Sequence, residues 1–141
     1  MAVPESTVWD RDPHTEAKHR VLGRYFDAWY PIMLRTFPRL TVLEGYAGPG
    51  IYSKGEDGSP VIALSTLAQR PELLDGGKAV RFVFVEERED RLQKLKEVVG
   101  KRVSSTPKRN HCGLPPRALR AHLGNGSRSG ECLGYADLCE S

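Results

Sequence analysis

Leu40-Thr41-Val42-Leu43-Glu44-Gly45-Tyr46-Ala47-Gly48-Pro49-Gly50 is the stretch on which the fold turns. Its first half is short, apolar and β-branched, which predicts a buried strand. The glycines that follow at once predict a tight turn leaving that strand. Ile51 to Ser59 holds Gly55, Asp57 and Gly58 and reads as a loop. Ser59-Pro60 then opens a helix to about Ala68, with Ser59 as its cap and Pro60 in the first position. Gly76-Gly77 breaks the chain again. Val80 to Glu86 is a second strand, and its Phe82–Val85 core is wholly apolar, as expected of a strand buried on both faces.

Helices flank this unit. From Pro13 to about Phe37, Val21, Leu22, Tyr25, Phe26, Trp29, Ile32 and Met33 recur at helical spacing. Asp12 before Pro13 marks the start of that helix, and Pro31 inside it predicts a kink or a split. Glu87 to Val99 forms a charged amphipathic helix with Leu92, Leu95, Val98 and Val99 inward. The order helix, strand, helix, strand, helix is the pattern of a parallel α/β protein. After about Arg102 the periodicity dissolves, apart from a short helix conceivable around Pro116 to Leu123. The expected division is residues 1–102 as the N-terminal part of a Rossmann-like domain and 103–141 as an irregular or disordered tail. A shift of reading frame near residue 103 would account for that break.

Composition narrows the classes. The chain has 141 residues, 39% hydrophobic and 28% charged, which fits one soluble globular domain. The net charge of +3 is small and its cations are spread out, so charge alone argues little for nucleic acid. No apolar run reaches the roughly 18 residues of a membrane span. The start, Met1 to Asp12, is polar and acidic, unlike a secretory signal, so the expected compartment is the cytoplasm. Cys112, Cys132 and Cys139 form no disulfide framework. With His111 they lack the spacing of a zinc knuckle, so no metal site is expected.

The chemistry centres on the glycine turn and on Glu86. At the carboxyl end of a parallel strand, glycines let backbone approach a ligand that side chains would block. A carboxylate ending the next strand can accept hydrogen bonds from both hydroxyls of a ribose. Together they suit a nucleoside cofactor, although a tight strand-to-helix turn with no ligand also accounts for the glycines. The spacing is neither that of a Walker loop nor G-x-G-x-x-G. Trp29 and Tyr30 read as core or domain-contact residues rather than as a base-stacking platform.

Asp12-Pro13-His14-Thr15, Lys18-His19, Leu22, Tyr25, the turn Glu44 to Gly50, Gly58-Ser59-Pro60 and Phe82 to Glu86 resemble, in order and spacing, the three-Cys-motif partner protein family over about residues 9 to 100. More distantly they resemble bacterial ribosomal-RNA adenine-N6 methyltransferases. The resemblance implies an incomplete Rossmann-like sheet of the class I methyltransferase type, and S-adenosylmethionine as cofactor. It implies cofactor contacts from Lys18, His19, Glu44, Tyr46, Gly48, Gly50, Ser59 and Glu86. Gly48 and Gly50 would sit beside the methionine part, Glu86 on the ribose, and Lys18 or His19 near the cofactor carboxylate. On residues alone, Lys18 and His19 read as ordinary surface groups.

Two departures stand out. Glu44 ends the first strand where such enzymes carry Asp or an equivalent polar residue. The Asp-Pro-Pro-Tyr-like segment that positions an acceptor nitrogen has no counterpart after residue 100. The expectation is therefore a truncated S-adenosylmethionine-binding, methyltransferase-like protein, inactive alone, whose catalytic residues are unassigned. The alternative is a non-enzymatic module that docks another protein. By the resemblance, that partner would be a three-Cys-motif protein, and nucleic acid would be the substrate of an intact relative.

Overall fold

The structure, a computed structural model, describes residues 5–104, 119–125 and 135–136. Helix α1 spans Pro13–Thr36, strand β1 Arg39–Gly45, helix α2 Ser59–Ala68 and strand β2 Ala79–Glu86. Helix α3 follows over Glu89–Ser104, then strands β3 (Leu119–Asn125) and β4 (Tyr135–Ala136). A short 3-10 turn, Pro71–Leu74, precedes β2. The strands lie in the order β1-β2-β3-β4. The first three are parallel, and β4 runs antiparallel to β3. This alternation is α/β and compatible with part of a Rossmann-like sheet.

Helix α1 starts where its sequence requires. Asp12 Oδ1 accepts from Thr15 N at 2.9 Å, which satisfies one of the free first-turn donors, and Pro13 occupies the first position. Of the kink or split expected at Pro31, the split does not occur: α1 runs through it unbroken. Proline lacks the N–H that would reach the carbonyl of Asp27. Arg70 supplies the missing donor: its Nη1 lies 3.1 Å from Asp27 O.

The helices pack on one face of the sheet. Phe26, Tyr30 and Leu34 of α1 meet Ala63, Leu64 and Leu67 of α2 in the core. Tyr30, only 1% exposed, donates its hydroxyl to Ala63 O at 2.9 Å. Leu92, Leu95 and Val99 of α3 join the same cluster with Val80, Phe82 and Phe84 of β2. Each Val, Leu or Phe among them contributes about 1.5–3 kcal/mol on leaving water. Among the described residues nothing covers the other face, which corrects the expectation of two-sided burial. Leu43 remains 69% exposed, and Val83 and Val85 are only half-buried.

The reading of an irregular tail also needs correction. Helix α3 runs on to Ser104. Leu119–Asn125 is a strand in register with β2, from Val80↔Leu119 to Glu86↔Asn125, so the helix conceived around 116–123 does not form over 119–123. Two strands alone make a poor sheet, and β3 pairs the second edge of β2. His111, Cys112, Cys132 and Cys139 lie outside the described residues. No helix among the described residues is long and apolar enough to cross a membrane.

Candidate functional site

The strand ends of β1 and β2 and the starts of α2 and α3 meet at one edge of the sheet. Beyond β1 the ladder continues for one bond, from Ala47 N to Val85 O at 2.9 Å. The chain then turns through positive φ at Tyr46 (60°), Gly48 (68°) and Gly50 (75°). That conformation costs a non-glycine residue about 1–2 kcal/mol, so Tyr46, 91% exposed, carries backbone strain at the turn.

Glu86 is a buried charge of this edge, 6% exposed, as is Arg91, which lines the same cavity. Its Oε2 accepts from Gly48 N at 2.8 Å, and its Oε1 accepts from Arg88 N at 3.0 Å. A carboxylate offers about four lone-pair sites, so two backbone donors leave capacity for further hydroxyl donors. The helix α3 N-terminus just beyond adds a favourable field for its negative charge.

The glycines divide by role. A Cβ on Gly50 would fall 2.7 Å from Leu95 Cδ1, so this glycine is needed for packing against α3. A Cβ on Gly48 would meet only Trp9 Cη2, at 3.8 Å, in ordinary contact. Gly48 is therefore the glycine that leaves room above the turn.

Ser59 does not cap α2, because Gly58 takes that position without a side-chain bond. Instead the Ser59 hydroxyl donates to Glu44 Oε1. Burial raises the pKa of Glu44 above the ordinary carboxylate range, and the Ser59 hydrogen bond partly opposes that rise. The departure noted at the end of β1 thus has a partner across the cavity floor.

A cavity of about 500 Å³ opens between these groups. Tyr46, Gly48, Gly50, Ser59 and Glu86 all line it, so the fold brings together five of the eight candidate residues. Glu44 reaches it through Ser59. Lys18 and His19 do not line it. Lys18 is exposed on α1, and His19 faces a second cavity of about 420 Å³ with Arg11 and Glu56. The His19 ring centroid stands 5.6 Å from that of Tyr52, which lines the first cavity. His19 Nδ1 is buried with no hydrogen-bond partner among the described residues. Desolvation, then the Arg11 charge, lowers its pKa, with Asp12 acting in opposition.

Trp9, Tyr52 and Arg91 also line the first cavity and were not among the candidates. Trp9 and Tyr52 lie in non-regular segments, and Arg91, although on a helix legible from its periodicity, meets them only in three dimensions. Asn125 is the register partner of Glu86, so its backbone stands at the same edge. Among the described residues no cluster of His, Cys, Asp or Glu is arranged to hold a metal ion. No family model, curated protein or solved structure matches this chain.

Proposed function

We propose that this chain binds S-adenosylmethionine as the cofactor-holding part of a methyltransferase-like protein of the Rossmann-like class I type. The observation that carries this reading is Glu86: a buried carboxylate at the tip of a parallel strand, fixed by two backbone donors, on a cavity of suitable size. The residues present fit the ligand. Glu86 keeps acceptor capacity for both ribose hydroxyls, and Gly48 leaves space for backbone to approach the amino-acid tail. When bound, the cofactor would supply an activated methyl group. The chain's own residues would orient it and exclude water from one side.

Isothermal titration with S-adenosylmethionine and with its thioether product tests this directly. Binding is expected in the parent chain and its loss in Glu86→Ala. An unchanged affinity in Glu86→Ala would sink the assignment.

A second reading, a non-enzymatic module that docks a partner such as a three-Cys-motif protein, draws on a different observation. Val21, Tyr25 and Ile32 on α1 are 69%, 55% and 64% exposed, while Phe26, Tyr30 and Leu34 of the same helix are buried in the core. Co-purification of a second polypeptide without cofactor, lost in Val21→Glu or Ile32→Glu, is the outcome this reading requires.

A further inference from the structure

The residues before α1 cross the mouth of the cavity and are tied to both of its sides. On the α3 side, Thr7 Oγ1 donates to Asp90 Oδ2 at 2.5 Å, and Arg91 Nη2 donates to Ser6 O at 3.2 Å. On the loop side, Ser53 N donates to Trp9 O at 3.0 Å, and the Ser53 hydroxyl hydrogen-bonds Asp10. Between these ties stands the Trp9 indole. The Arg91 guanidinium lies 4.7 Å from its ring centroid, in cation–π range. Tyr52 meets it edge-on, with centroids 5.9 Å apart and planes at 89°. Its Cη2 reaches over the glycine turn, as the Gly48 distance shows.

We propose that Trp9 is a ligand-contact residue and that Ser6–Asp10 is a strap closing the nucleoside cavity. The inference rests on the reading of that cavity as a nucleoside site. Three features support it. Trp9 lines the same cavity as Glu86 while being only partly buried, so part of its ring faces the space a ligand would fill. The ring is held on one side by Arg91 and on its edge by Tyr52, which fixes its orientation in advance and lowers the ordering cost of binding. The strap's side-chain ties to Asp90 and Asp10 are exposed, and such bonds contribute little each. Opening the strap to admit a ligand therefore costs chiefly the two remaining bonds, Arg91 to Ser6 O and Ser53 N to Trp9 O, and on closing the indole covers the ligand.

The test uses the full chain with Trp29→Phe, so that Trp9 is its only tryptophan, titrated with S-adenosylhomocysteine. Trp9 emission is expected to shift with ligand concentration, following the calorimetric isotherm. Trp9→Ala is expected to weaken binding by about tenfold or more, while Trp9→Phe stays within about threefold, since an aromatic wall is retained. If Trp9→Ala binds with the parent's affinity, the strap is structural only and the inference is overturned while the nucleoside reading stands. If the parent itself binds no S-adenosylhomocysteine, both fall. Should Trp9→Ala prove unfolded by circular dichroism, the emission titration decides: a Trp9 signal unmoved at saturating ligand overturns the proposal.

Discussion

Gly48 donates its backbone N–H to Glu86 Oε2 at 2.8 Å, so the turn leaving β1 and the tip of β2 act as one unit. The carboxylate that would grip a ribose is the same group that shapes the glycine turn. Glu86→Gln should therefore do two things at once. It places an amide nitrogen where an acceptor is needed, leaving a buried donor facing a donor. Chemical denaturation is expected to show a loss of about 1–3 kcal/mol. A loss of cofactor affinity should accompany it, because an amide accepts at one atom only.

The two glycines of the turn should respond differently to the same change. Gly50→Ala meets both a positive φ and a Cβ 2.7 Å from Leu95 Cδ1. A destabilisation of about 2–4 kcal/mol is expected, from backbone strain plus overpacking. Gly48→Ala carries the backbone term alone, about 1–2 kcal/mol, since its Cβ has room. Denaturation midpoints of the two variants, measured side by side, check the ordering. Equal losses would contradict it.

Arg70 and Pro31 form a testable pair. Arg70→Ala should cost about 0.5–1.5 kcal/mol, because the carbonyl of Asp27 loses its protein donor. In a Pro31→Ala background the helix regains its own N–H at that turn, and the same Arg70→Ala change should cost less. A double-mutant cycle reads the difference directly, and an additive cycle would refute the link.

Glu44 sets a pH dependence whose sign follows from its burial. Its folded pKa is raised above the ordinary 4.5, so its stabilising contribution is complete below that value and is lost as pH rises through the folded pKa. Glu44→Gln should then gain in melting temperature relative to the parent as pH climbs from 4.5 toward neutrality. His19 works in the opposite direction. Its folded pKa is lowered, so its contribution is present above 6.5 and is lost on acidification. His19→Gln should flatten that acid-side loss.

Most of the frame was legible because it is written locally. Asp12-Pro13, the apolar run of β2 and the inward spacing of Leu92, Leu95, Val98 and Val99 each carry their signal within a few residues. Strand β3 was missed: Leu119, Ala121 and Leu123 alternate with Arg120 and His122, but this short period-2 pattern is obscured by the surrounding glycine, serine and arginine, and a helix was expected there instead. At the site, the glycine turn and Glu86 could be named from residue type and position. The Ser59 bond to Glu44 could not, because capping and cross-cavity bonding use the same hydroxyl. Nor could Trp9 and Arg91, whose meeting depends on how a non-regular segment crosses the molecule. Burial on both faces of β2 was inferred from apolarity alone, which cannot tell a covered valine from an open one.

The bond between Arg70 and Asp27 also bears on the order in which the molecule assembles. A helix ordinarily closes its hydrogen bonds from within, and α1 could form early and by itself. Pro31 removes one of those bonds, and its replacement arrives from a residue 43 positions further along. The middle of α1 is thus complete only when the connection between α2 and β2 has come to rest against it. A nascent chain emerging as far as β1 would hold this helix with one carbonyl still bound to water. Completion of the first element is in this way deferred until the second strand is being laid down.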